Sequence, residues 1–227
     1  MMWPTSCDWR PETMARTLDW YFDVISPFPY LQLARFDEFP DDVEIRPRPV
    51  LFAGLLNHWG QKGPAEIKSK ARHVDTVIRW TAKRRGLPFE GVARHPFNPL
   101  AALRLIEAAG PSVEAVRAAY VHLWGEGRDG QDPESIADLA AKLGVDDHEA
   151  RIADPAIKAR IRANTDEAIA RGVFGVPTFV ADGRLFWGDD VTDMMLDYLA
   201  DPTIFDDPEY ALFERAVAAA TRIDRVE

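Results

Sequence analysis

Two stretches of strand-like patterning, set apart by a long stretch of helical spacing, give this chain its outline. Residues 18–25, Leu-Asp-Trp-Tyr-Phe-Asp-Val-Ile, alternate weakly and are rich in aromatics, which predicts a buried strand. Pro27 suits the first turn of a following helix, where a missing N–H costs nothing. Leu31, Ala34 and Arg35 carry that helix to about residue 39. Pro40-Asp41-Asp42 is a turn signal. Residues 43–50 alternate as a second strand, and Pro47 and Pro49 within it point to a sheet edge or an early end. A strand, a crossover of this length and a second strand predict a parallel pair.

From 51 to 160 the strand signal all but vanishes. The spacing predicts helices over 51–59, 67–85, 100–109, 112–125, 133–143 and 147–153, with Pro155 opening another that runs to 171. Breaks fall at 60–64, 86–88 and 95–99, all rich in Gly, Pro or Asn. Strands over 177–181 and 184–187 then flank Asp182-Gly183, a strong hairpin signal. A last helix is predicted over 189–199, with Asp189 as its cap. A run of helices inside an α/β order reads as an inserted helical lobe. Residues 1–16 read as a loosely attached tail, and 201–227 as a second tail with helical character from 211 to 223.

The length of 227 residues suits one domain with an insertion, or two closely packed lobes. A formal net charge of −10 argues against non-specific binding to nucleic acid or to a membrane surface. No apolar run reaches membrane-spanning length, and residues 1–16 have no apolar signal core, so the expectation is a cytoplasmic protein. Cys7 is the single cysteine, which excludes an intrachain disulfide, a dithiol redox pair and a cysteine-rich metal site. His58, His73 and His95 lack the spacing of a metal site, and His122 and His148 read as surface or packing residues, so no metal is expected.

Two local features carry chemistry. Ser26 follows a buried strand and opens a helix, where unpaired N–H groups and the helix dipole favour an anion such as a thiolate. Taken by itself, it reads first as an ordinary helix N-cap; the two readings are compatible. Val176-Pro177 stands just before a strand, a place where a cis peptide can turn the Val176 N–H and C=O outward. Taken by itself, Pro177 reads as an ordinary trans loop proline.

Read together, Asp19-Trp20-Tyr21-Phe22-Asp23-Val24-Ile25-Ser26-Pro27-Phe28 and Gly175-Val176-Pro177-Thr178-Phe179, with Asp182-Gly183 and Phe186-Trp187-Gly188-Asp189-Asp190, resemble one family. It is the thioredoxin-fold family of kappa-class glutathione transferases and 2-hydroxychromene-2-carboxylate isomerases, and the likeness covers roughly residues 17–200. The resemblance implies an α/β, thioredoxin-like fold with a helical domain inserted between its two halves. The expected boundaries are 1–16 for the tail, 17–52 for the first half, 53–154 for the helical domain, 155–200 for the second half and 201–227 for the C-terminal tail.

Related redox proteins carry the first Cys of Cys-x-x-Cys where this chain has Ser26, so that electron chemistry is absent. A site that holds a thiolate but supplies no thiol needs one from outside, and the resemblance implies glutathione. It gives Ser26 the role of hydrogen-bonding the sulfur, and Val176, beside Pro177, that of pairing with the tripeptide backbone. Asp190 would take the γ-glutamyl ammonium, and the backbone at Gly188 and Asp189 its carboxylate; the bland alternative is a pair of helix-capping aspartates. Gln61 stands where relatives have Asn, and Lys70 aligns with a lysine for the glycyl carboxylate, although a surface lysine is more often merely solvated. Phe28, Asn57 (where relatives often have Lys) and Asn98 would face the second substrate. Trp187 and Phe28 are the expected cleft aromatics, with Trp59, Trp80 and Trp124 as core or cleft wall.

The activity implied is a glutathione-dependent isomerisation of a 2-hydroxychromene-2-carboxylate type substrate. A kappa-like glutathione transferase or peroxidase, and a non-catalytic thiol-peptide binder, are the alternatives. The family precedent implies a homodimer.

Overall fold

Leu18, Trp20 and Phe22 project from one face of the first strand and Tyr21 from the other, each into its own cluster of buried side chains. The computed structural model describes residues 16–211. Strand β1 (Arg16–Phe22) is covered on both faces from Leu18 onward, which is why Trp20, Tyr21 and Phe22 follow one another and blur its alternation. It pairs in parallel with β2 (Val43–Pro49), Arg16 opposite Val43 and Phe22 opposite Pro49. On its other side it pairs antiparallel with β3 (Thr178–Ala181), Trp20 opposite Phe179, and β3 pairs antiparallel with β4 (Arg184–Trp187). The sheet order is β2-β1-β3-β4, so the two prolines of β2 lie on an edge strand, as expected. Asp182 and Gly183 join β3 to β4 with φ of 49° and 79°; two successive positive φ values are what an Asp-Gly hairpin turn supplies.

Helix α1 (Phe28–Leu33) stops short of the predicted end, giving way to a 3-10 turn at Phe36–Glu38. Between β2 and the second strand pair lie α2 (Phe52–Trp59), α3 (Lys68–Arg85), α4 (Leu100–Ala109), α5 (Val113–Tyr120), α6 (Pro133–Lys142), α7 (His148–Ala153) and α8 (Pro155–Ala170). Ser112, Asp132 and Asp154 cap α5, α6 and α8 through side-chain oxygens, and Gly60 and Gly86 close α2 and α3 in the left-handed conformation. The predicted helix over 112–125 is not uniform. It widens after Tyr120 into a π turn, Val121–Gly125, that carries His122 into the interior with Nε2 at 3.0 Å from the Ser135 carbonyl.

Helices α1, α4, α5, α6 and α9 (Thr192–Ala200) pack with the Trp20 face of the sheet, and α2 and α8 with the Tyr21 face. Helix α9 begins later than the sequence suggested, and Asp189 is not its cap, for a reason that lies in the cleft described below. Among the described residues no helix is long and apolar enough to cross a membrane. The N-terminal tail with Cys7 and the helical segment expected from 211 to 223 lie outside the described residues, apart from their innermost positions.

Candidate active site

The turn that ends β1 is organised by one carboxylate. Asp23 is fully buried; Oδ1 accepts the Ile25 N–H at 3.0 Å and Oδ2 the Phe52 N–H at 2.8 Å. Its backbone oxygen accepts from the Ser26 N–H at 3.0 Å and from the Tyr120 hydroxyl at 2.8 Å. One residue thus ties the strand end to the start of α2 and to the helical lobe. Burial pushes its carboxyl up to about 7, with the two N–H bonds pulling the other way.

Ser26 leaves this turn nine-tenths buried. The cap position of α1 is Pro27, with no side-chain cap bond, so the Ser26 hydroxyl is not spent on the helix. Its protein partner is the Val176 carbonyl at 3.5 Å, the outer limit of a hydrogen bond. The Val176–Pro177 bond is cis, as the sequence allowed. Among the described residues nothing accepts from the Val176 N–H, unusual for a residue only 5% exposed.

Ser26 and Val176 meet in a two-part cleft. One part is an apolar pouch of about 280 Å³ walled by Phe28, Phe52, Ala53, Leu56, Val74 and Pro96, with His95 and Glu66 as its ionisable lining. The other is a polar trough of about 780 Å³ bordered by Trp80, Arg84, Arg85 and the turn Gly188-Asp189-Asp190. Phe28, Pro64, Val74, Val176 and Trp187 line both, so the two parts are continuous. Trp187, half exposed, meets Phe174 edge to face and lies over Gly175, where any β-carbon would collide with the indole.

The far wall of the trough is pinned from below. Gln32, fully buried in α1, accepts from Trp20 Nε1 at 2.7 Å and donates to the Gly188 carbonyl at 2.9 Å and to Thr192 Oγ1 at 3.2 Å. The Gly188 N–H donates to the Pro177 carbonyl at 2.9 Å. Arg85 grips the Asp189 carboxylate with both nitrogens, at 2.8 and 2.9 Å, and donates to the Leu31 carbonyl at 2.9 Å. Asp190 is exposed and makes no ion pair among the described residues. Arg84 stands with its guanidinium over Trp80, 5.3 Å from the ring centre.

These contacts revise several expectations. Asp189 is held sideways by Arg85 instead of capping a helix, and α9 starts only at Thr192. The Gly188 backbone is engaged at both its N–H and its C=O, so it is not open to a carboxylate. Asn57, Gln61, Lys70 and Asn98 do not line the cleft. Asn57 is exposed on α2 one turn beyond Ala53, and Gln61 and Lys70 are exposed in the loop after α2 and in the first turn of α3. Asn98 turns back on its own chain, Oδ1 accepting the Leu100 N–H at 3.1 Å. Trp80 borders the trough as cleft wall and Trp124 is buried, as expected, whereas Trp59, 42% exposed, is neither core nor part of the lining of pouch or trough. Sequence reasoning missed Asp23, Gln32, Arg84, Arg85 and the cleft position of His95. The signal for the first two was available: a carboxylate and an amide inside otherwise apolar runs.

A four-stranded sheet with a hydroxyl, in place of a dithiol, facing a cis-proline bond defines a class. The chain belongs to the family of the DSBA-like thioredoxin domain, whose pattern matches residues 17–200. It is similar to 2-hydroxychromene-2-carboxylate isomerase from Sphingobium xenophagum, 31% identical over 198 residues that cover 83% of this chain and all of the relative. It is also similar to human glutathione S-transferase kappa 1, 24% identical over 210 residues, 83% of this chain and 92% of the relative. A solved structure of a 2-hydroxychromene-2-carboxylate isomerase superposes with a TM-score of 0.73 at 25% identity, covering 86% of this chain and 98% of the other. The α/β, thioredoxin-like architecture read from the sequence is therefore the one found.

Proposed function

We propose that this protein binds glutathione and uses it to isomerise an aromatic-derived electrophile of the 2-hydroxychromene-2-carboxylate type. The observation that carries the reading is the buried Ser26 hydroxyl, weakly partnered by the Val176 carbonyl where apolar pouch and polar trough meet. The residues fit a γ-glutamyl tripeptide: a hydroxyl for sulfur, an unpaired backbone N–H for the peptide, and a carboxylate and a cation in the trough. A thiol held there supplies a nucleophile that adds reversibly to carbon and is recovered. Everything else is supplied by the chain. Ser26 Oγ–H donates to the thiolate and favours it over the thiol. Val176 pairs with the extended peptide as an added strand would. Asp190 takes the ammonium, and Arg84, kept over Trp80, offers the carboxylate a cation. Phe28 and Trp187 wall the place where the two ligands meet.

The isomerase of Sphingobium xenophagum, alike along its whole length, supports this reading. The likeness to a kappa-class transferase supports a second one, a transferase or peroxidase that consumes the thiol. The proposal includes a cytoplasmic setting and a homodimer, the latter checked by sedimentation. Calorimetry with glutathione and product analysis with a hydroxychromene carboxylate test the function. Free glutathione recovered with a trans-benzylidenepyruvate supports the isomerase, and a stable conjugate supports the transferase. Binding without turnover of any electrophile leaves a thiol-peptide binder. A charge-assisted hydrogen bond is worth about 1.5–3 kcal/mol. Ser26→Ala is therefore expected to lower kcat about 10- to 100-fold while glutathione affinity changes far less, and unchanged turnover would count against Ser26.

A further inference from the structure

One histidine of the pouch has no part in the reading so far. His95 Nε2 lies 3.0 Å from the carbonyl oxygen of Ile25, the residue before Ser26. A backbone carbonyl only accepts, so Nε2 carries the hydrogen. In the neutral ring that leaves Nδ1 with a bare lone pair, and among the described residues Nδ1 has no partner. The ring meets Trp124 edge to face at 5.5 Å, and Trp124 donates to the Val24 carbonyl at 2.8 Å, so ring and support are fixed to the same turn that presents Ser26. Ser26 and His95 both line the pouch, His95 from its exposed rim, so the imidazole borders the space that a sulfur at Ser26 would enter, with Nδ1, on the ring edge away from the Ile25 carbonyl, connected to it through water. Glu66, the other ionisable side chain lining the pouch, accepts the Gly63 N–H at 2.6 Å. Asp75 and Arg79, which line the adjoining cavity with His95, pair with each other at 3.0 Å.

We infer that His95 is the proton carrier of the proposed reaction and so a catalytic residue, Nδ1 taking the thiol proton and delivering it to the oxygen that the second substrate releases. This rests on the isomerase reading. Nδ1 receives the proton as the carbon–sulfur bond forms at the alkene carbon beside the substrate's aromatic ring. The double bond moves one position, and the ring C–O bond breaks with its electron pair on the phenolic oxygen, which takes the proton from Nδ1. Rotation follows about the former double bond. Nδ1 then takes the enol hydroxyl proton while C=O and the alkene re-form and the carbon–sulfur bond breaks with its pair on sulfur, and it returns that proton to sulfur. Nothing is oxidised or reduced.

His95→Gln keeps an amide N–H for the Ile25 carbonyl and removes the ionisable nitrogen; His95→Asn is the second variant should Gln not fold. Nitrogen NMR of the histidine-labelled, ligand-free protein should find hydrogen on Nε2 and a bare Nδ1 in the neutral ring. In His95→Gln, kcat should fall about 10²- to 10⁴-fold and its dependence on pH should change. The bound thiol, followed by thiolate absorbance, should ionise at higher pH. Glutathione affinity should stay within about threefold, under ~0.7 kcal/mol. A folded variant with wild-type kcat and pH profile overturns the role of His95 and leaves the isomerase reading standing. A wild-type protein that binds no glutathione, or turns over no hydroxychromene, overturns that reading and this inference with it.

Discussion

Asp23 is sealed from solvent yet accepts two backbone N–H groups, so its carboxyl is pulled both ways, and burial is the larger effect. The folded group titrates at about 7 against 3.8 for the ordinary side chain. Below pH 4 both folded and unfolded chains hold the proton. Between 4 and 7 the unfolded chain releases it and the folded chain does not, so ionisation favours unfolding and stability falls as pH rises. Above 7 the loss is complete, on the order of 4 kcal/mol for this group. Asp23→Asn titrates in neither state but confronts one N–H with an amide donor, a cost of about 1–2 kcal/mol. Urea unfolding should therefore find the variant less stable than the wild type at pH 4 and more stable at pH 8. A gap that does not change with pH would show that another group governs this window.

Arg85 does for α3 what Asp23 does for the strand end, since its fork joins the last turn of α3 to the Leu31 carbonyl and to Asp189. Asp189 is nearly buried and Arg85 partly so; removing the cation strands a carboxylate. Arg85→Met should cost about 2–4 kcal/mol in urea unfolding and weaken glutathione binding by loosening Gly188-Asp189-Asp190. A variant as stable as the wild type would mean that the pair is merely a surface contact. This clamp also marks where reading the sequence runs out. The strands, the Asp-Gly hairpin and most helix ends were legible because they rest on spacing, proline position and caps within a few residues. So were Ser26 and Val176-Pro177, whose neighbours are distinctive. Arg85 and Asp189 are 104 residues apart, and a Lys-Arg-Arg-Gly helix end reads as solvated charge until the fold brings a carboxylate to it. Asn57, Gln61, Lys70 and Asn98 lie outside the lining of pouch and trough for the converse reason: a likeness in loop sequence does not fix how far a side chain stands from the cleft.

The cleft joins two environments that one ligand would not fill to equal advantage. Phe52, Ala53 and Leu56 come from one face of α2 and make the pouch almost wholly apolar, while α3 and the turn after β4 give the trough its arginines and carboxylates. A charged peptide gains little from the pouch and finds its ion-pair partners in the trough. Val176 and Trp187 line both parts and Ser26 faces the pouch beside them, so a sulfur anchored from the trough side would meet an electrophile seated on the pouch side. The arrangement makes the two affinities separable. Ala53 lines the pouch and is exposed on α2, so a larger side chain there invades the cavity without crowding the core. Ala53→Phe should raise KM for a hydroxychromene carboxylate about tenfold or more, roughly 1.4 kcal/mol, and leave the glutathione dissociation constant within about twofold. If Ala53→Phe weakened glutathione as much as the chromene, the tripeptide would be occupying the pouch, and the division of the cleft argued here would have to be reversed.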